Sequence, residues 1–175
     1  SEGWWATWSK IEIFGREEIK KYQKKIYFDL DLVIQGSITP ILEHDADWAA
    51  IECPWKGKIF RLKHPGESII NTSVMVWKDI TWIYDKWESD WKNIVRNYRG
   101  TDYWYHVNGL RPTSLPKVFY SYREGSKPSH YWVNGMKPYL QYQPDYSVCL
   151  FHQKPDIHEL DKSNRLYKIW HETVS

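Results

Sequence analysis

The residues best suited to chemistry lie in the first third of the chain. Glu43-His44-Asp45-Ala46-Asp47 gathers carboxylate and imidazole ligands within five positions and could seed a metal site if the fold supplied further groups. A zinc centre needs three or four convergent ligands, and no H-x-H, HExxH or CxxC spacing accompanies this run, so it reads as a solvated loop and no metal or cofactor is expected. Asp29 and Asp31 share one side of an alternating segment and could act as paired carboxylates. Same-face charges beside a buried face ordinarily point to water, which is the reading adopted for them.

The nucleophile classes find little support. Cys53 and Cys149 are far apart in sequence. In an oxidising compartment they could close one disulfide, and in a reducing one they read as small buried apolar residues. His106, His130 and His152 all fall in a strand-rich region, yet no spacing brings any of them to a thiol. There is no glycine-rich phosphate loop and no GxSxG. Asn71-Thr72-Ser73 matches the N-glycosylation pattern, a three-residue match common by chance.

Aromatic side chains are the unusual resource: 12 Trp, 13 Tyr and 5 Phe in 175 residues, against four Ala. Helical bundles rely on Ala and Leu, whereas aromatic and β-branched residues suit a pleated surface, so an all-α fold is disfavoured. A buried Trp needs a partner for its N–H, so several of the 12 are expected at a surface or interface. Trp4/Trp5/Trp8, Tyr103-Trp104-Tyr105 and Tyr131-Trp132 are consecutive or near-consecutive, and on a strand at least one member of each group leaves the core face. Formal net charge is only +2, which offers no broad field for nucleic acid. No apolar run reaches the length of a membrane span, and the compartment stays open.

The elements that must carry these groups follow from periodicity. Ile26, Phe28, Leu30, Leu32 and Ile34 alternate with Tyr27, Asp29, Asp31 and Val33, which predicts one half-buried strand over nine residues. Shorter strands are expected at Lys10–Ile13, Ile38–Leu42, Trp48–Cys53, Lys58–Leu62 and Lys117–Tyr122, with a short charged helix at Arg16–Lys24. Trp77, Ile80, Tyr84, Trp87, Trp91, Ile94 and Tyr98 recur at steps of three and four. That stripe predicts a long amphipathic helix over about 74–99, opened near Thr72 or Ser73, stopped by Gly100, with Trp82 on its opposite face. Tyr105–Pro112 and Tyr131–Pro138 each contain Val-Asn-Gly and read as two tight hairpins. Asp156 and Glu159 form a capping box before a terminal helix near 156–173.

The expected architecture is therefore α+β, one domain over residues 1–175: a mainly antiparallel sheet crossed by the long helix and flanked by a C-terminal helix. With no catalytic signature present, the favoured function is a non-catalytic protein-interaction module or structural subunit with protein partners, and an enzyme is the less favoured class. Its binding surface would be Trp4, Trp5, Trp8, Trp82, Trp104 and Trp132. The alternative is a ligand-binding module with an aromatic-lined pocket for a sugar, lipid or flat small molecule.

Overall fold

The computed structural model describes residues 7–53, 56, 62–63, 66–122, 140–151 and 155–172. The fold is α+β, and its contacts divide the chain into two compact units, Ser1–Tyr27 with Asp45–Glu52 and Pro65–Leu115, and Phe28–His44 with Cys53–His64 and Pro116–Ser175. Trp4, Trp5, Trp132 and the whole Tyr131–Pro138 echo lie outside the described residues, as does nearly all of Lys58–Leu62.

The first unit is built on a four-stranded mixed sheet. Its strands are β1 (Lys25–Phe28), β3 (Trp48–Glu52), β4 (Ile70–Trp77) and β5 (Thr113–Ser114), in the order β1-β4-β3-β5. β3 runs antiparallel to β4 and parallel to β5. Ahead of the sheet, a 3-10 turn at Ser9–Ile11 leads into α1 (Glu12–Gly15) and α2 (Glu17–Lys20). The extended segment expected at Lys10–Ile13 is thus helical. Trp8, Ile11 and Phe14 are all buried at steps of three, a helical face that the short alternation at 10–13 conceals.

The long helix begins later than its stripe implies. Residues 70–77 form β4, and α4 spans only Thr81–Asn97, about 26 Å at 1.5 Å per residue. Ile70, Thr72, Val74 and Val76 are β-branched and stiff at χ1, which favours the strand. Neither Thr72 nor Ser73 caps the helix. The N-cap is Ile80, with no side-chain cap, and Asp79 just before it accepts hydrogen bonds from the Thr81 amide at 3.3 Å and hydroxyl at 3.0 Å. Trp77 shares the helical spacing by coincidence of sequence, from the end of a strand. Trp82 is 49% exposed, on the outer face of α4 as its position opposite the stripe predicts.

The Asn-Gly at 108–109 also has a different role. Residues Thr101–Val107 are helix α5, and Gly109 (φ +67°) ends it: the Leu110 amide donates to the Tyr105 carbonyl at 2.9 Å and the Gly109 amide to the His106 carbonyl at 3.3 Å. This pair of bonds is a Schellman C-cap, which uses the same left-handed backbone that a hairpin turn requires. The dipeptide identifies that conformation, and the helical hydrogen bonds before it decide which structure uses it.

In the second unit, β2 (Leu32–Ile34), β6 (Phe119–Ser121) and β7 (Val148–Leu150) form a three-stranded sheet in the order β2-β7-β6, antiparallel then parallel. The single strand expected over 26–34 is therefore two. Its alternation continues, but Asp29-Leu30-Asp31 interrupts it, with Leu30 96% exposed. Two carboxylates in a ladder flanked by buried residues would be desolvated, and placing them in a connection avoids that cost. Ile38–Leu42 is also helical, as α3 (Thr39–Leu42), with Pro40 in its first turn, where its missing N–H costs nothing. The capping box at Asp156 and Glu159 forms, but it caps only a 3-10 turn at Ile157–Glu159. A second start at Asn164, whose side chain accepts the Leu166 amide at 2.9 Å, opens α6 (Arg165–Glu172).

The core of the first unit packs Trp8, Phe14, Trp48, Trp77, Trp104 and Tyr105 with Ile11, Met75, Ile80, Ile83 and Ile94. The indole N–H groups of Trp8, Trp48 and Trp87 are buried without a hydrogen-bond partner among the described residues. Gly15 has its own packing reason: a Cβ there would meet the Tyr84 ring at 2.6 Å. Gly15→Ala is expected to destabilise the protein by about 1–3 kcal/mol through overpacking, read as a lower urea midpoint at unchanged slope. A midpoint equal to wild type would show that α1 and α4 do not pack through this contact.

Candidate functional site

The polar chemistry of the first unit concentrates where β4 leaves its ladder. Trp48, Ala49 and Ala50 pair with Trp77, Val76 and Met75, but Ile51 then pairs with Asn71, leaving Thr72, Ser73 and Val74 opposite no residue of β3. Such a bulge bends the strand and re-aims its side chains, and it recurs beside functional sites. Thr72 and Ser73 are buried despite being polar. The Thr72 hydroxyl donates to Asp102 Oδ1 at 2.6 Å, and Asn71 Oδ1 accepts the Ser73 amide at 3.0 Å. Ser68 Oγ lies 3.0 Å from the Asp102 carbonyl and accepts the Ile70 amide at 3.1 Å.

Asp102 stands in the first turn of α5, where the helix dipole favours a negative charge. The buried Tyr105 hydroxyl is pushed well above the usual phenol range by desolvation and, secondarily, by the Asp102 charge. Nearby, Arg99 pairs with Glu67 at 2.7 Å and lies over the Tyr103 ring at 4.5 Å. Thr72 and Asp102 escaped the sequence reading. The available signal was a polar Asn-Thr-Ser triplet inside an otherwise β-branched and apolar run, which had been considered as a glycosylation match and as a helix start. The acceptor of that match, Asn71, is half-buried, with its side-chain oxygen bonded to the Ser73 amide.

In the second unit, Asp29 and Asp31 flank exposed Leu30 just before β2, and the Phe151 amide donates to the Asp31 carbonyl at 3.0 Å, extending the β2–β7 pairing to that residue. The main chain at Asp31 is therefore tied to the end of β7. Gln35 braces the same sheet through its side-chain amide, bonded to the Gln143 carbonyl at 2.5 Å and the Tyr146 carbonyl at 2.7 Å.

The other sequence candidates are placed as follows. Asp45 and Asp47 are exposed and bound by Lys78 at 2.7 and 3.6 Å, and the hydrogen bond to Asp45 raises the Lys78 ammonium above its usual range. A cleft of about 880 Å³ in the first unit is lined by Lys20, Lys24, Lys25 and Lys78 around Phe14 and Trp77. Lys20 is paired with Glu17 and Lys25 donates to the Lys78 carbonyl, so much of its positive charge is already engaged. Asp156, His158 and Glu159 bring ligand atoms within 4.8 Å of one another, an arrangement that the capping box accounts for. His106 Nδ1 meets Arg111 at 2.9 Å, and His130 and His152 lie outside the described residues.

Trp8 and Trp104, expected on an outward-facing aromatic surface, are each 1% exposed and meet edge to face at 6.2 Å. The strand geometry behind that expectation does not apply, because each stands on a helical segment that turns it inward. Cys53 and Cys149 are free thiols, both buried. Burial pushes the Cys149 thiol up to about 12, which removes it as a nucleophile near neutrality.

No protein-family model and no curated protein sequence matches the chain. Among solved structures, a galactosyltransferase in complex with donor and acceptor sugar analogues superposes on 96% of the chain with a TM-score of 0.57 at 14% identity. The chain is similar to it in fold. It spans 65% of that enzyme's length. This likeness overturns the expectation of a non-catalytic interaction module or structural subunit, which had rested on the absence of any catalytic signature in the sequence. Among the described residues, no helix is long and apolar enough to cross a membrane.

The Cys149 thiol sets a pH dependence. An unfolded thiol loses its proton near 8.5, while the folded one keeps it to about 12, so between those values the unfolded chain binds fewer protons and stability falls as pH rises. The Cys149 contribution to the urea midpoint is expected to be constant below pH 8.5 and to decline above it. Cys149→Ala should flatten the part of the decline between pH 8.5 and 10. A slope unchanged by the substitution would contradict the assignment.

Proposed function

We propose that the chain is a sugar-transfer domain, acting on an activated sugar whose leaving group carries phosphate. The observation that carries this reading is the fold shared with a galactosyltransferase over nearly the whole chain, together with a bulged central strand that delivers buried polar groups to a carboxylate. Fold alone does not assign chemistry, so the reading rests on what the residues can do.

A sugar offers many hydroxyls and no strong charge, and it is recognised by carboxylates and hydroxyls held in fixed directions. Asp102, with Thr72 and the Asn71–Ser73 turn beside it, is such a group, able to accept one or two sugar hydroxyl protons in charge-assisted hydrogen bonds.

The test is donor-dependent stabilisation of the protein. A panel of nucleoside-diphosphate sugars with Mg²⁺ or Mn²⁺ should include one that raises the melting temperature by several degrees, since a ligand at a hundred times its Kd contributes about 2.7 kcal/mol. Asp102→Asn should weaken sugar binding at least tenfold. No shift with any donor, or a variant that responds as wild type does, would overturn the reading.

A further inference from the structure

We infer that Thr72 is a positioning residue for the sugar-binding carboxylate, its hydroxyl locking Asp102 in the orientation that receives the substrate. This deepens the sugar-transfer reading and rests on it. The starting point is a cost: by bulging away from β3 at Thr72–Val74, β4 gives up regular pairing in the middle of a sheet whose neighbouring residues are buried. The polar side chains that the bulge places in the interior need partners of their own. The hydrogen bond that the bulge makes possible is short, 2.6 Å, and links a hydroxyl that is almost wholly buried to a carboxylate.

A purely structural tie between β4 and α5 would not need this chemistry. An apolar pair of the same shape would avoid desolvating a carboxylate and can be equally stable. A second tie already exists, because Ser68 reaches the Asp102 main-chain carbonyl and fixes the start of α5. Ser68 therefore anchors the backbone while Thr72 acts on the side chain. A carboxylate has two rotatable bonds, and holding one oxygen fixes the direction of the other. For a ligand recognised through hydroxyl geometry, that fixed direction separates one sugar epimer from another.

The experiment compares Thr72→Val, which is nearly isosteric but removes the donor, with Thr72→Ser, which keeps it, and with Asp102→Asn. Each is measured for urea stability, for affinity towards the donor sugar that stabilises wild type, and for the Asp102 carboxyl titration by carbon-detected NMR. Thr72→Val is expected to lose about tenfold or more in donor affinity, Thr72→Ser to recover most of it, and Thr72→Val with Asp102→Asn to be no weaker than Asp102→Asn alone. Loss of a hydrogen bond to the charged form should also raise the Asp102 titration midpoint in Thr72→Val.

Thr72→Val that changes stability while leaving donor affinity and the Asp102 titration at wild-type values overturns the positioning role. Failure of wild type to bind any donor overturns the sugar-transfer reading. In that case the titration still shows whether Thr72 controls the carboxylate.

Discussion

The hydrogen bond from Thr72 to Asp102 organises the first unit because it joins the two elements that the sheet alone would leave independent. β4 is the central strand, paired with β1 on one side and β3 on the other, and α5 follows the long helix α4 by only a few residues. Where β4 bulges, its buried polar side chains must find partners or carry a penalty of about 1–3 kcal/mol each. Asp102 takes the Thr72 hydroxyl, and the Ser73 amide turns back to the Asn71 side chain. From the same helix, Trp104 and Tyr105 enter the core against Trp8 and Trp48. One helical turn thus presents its acid to the bulge and its aromatics to the interior.

The sequence was legible where a single period ran unchallenged. β3 and β6 were expected within a residue or two, the capping box at Asp156 formed, and Trp82 fell on the exposed face of α4. It misled where one local signal served two structures. Asn108-Gly109 specifies a left-handed backbone, which ends a helix as readily as it turns a hairpin. The alternation over 26–34 is real, but a pattern of faces does not reveal that the chain changes sheets at Asp29-Leu30-Asp31. Trp77 fits a helical spacing while belonging to a strand, so the β-branched residues before it were the better guide.

The candidate site was less legible than the fold for a physical reason. Asp29 and Asp31 were read as solvated, and Asp31 is exposed. Thr72 and Asp102 are thirty residues apart, and only the bulge brings them together. The tryptophan surplus, in turn, is largely structural: among the described residues, Trp8, Trp48, Trp77 and Trp104 are core, and Trp82 is the one Trp among the exposed large hydrophobics.

Hydrogen–deuterium exchange with and without a donor sugar and a divalent cation tests the central claim most directly, because it reports where a ligand acts on the chain. Slowed exchange confined to peptides containing Asn71–Ser73 and Asp102 is the expected result. Slowed exchange instead at the lysine-lined cleft around Phe14 and Trp77, with those peptides unchanged, would contradict the account.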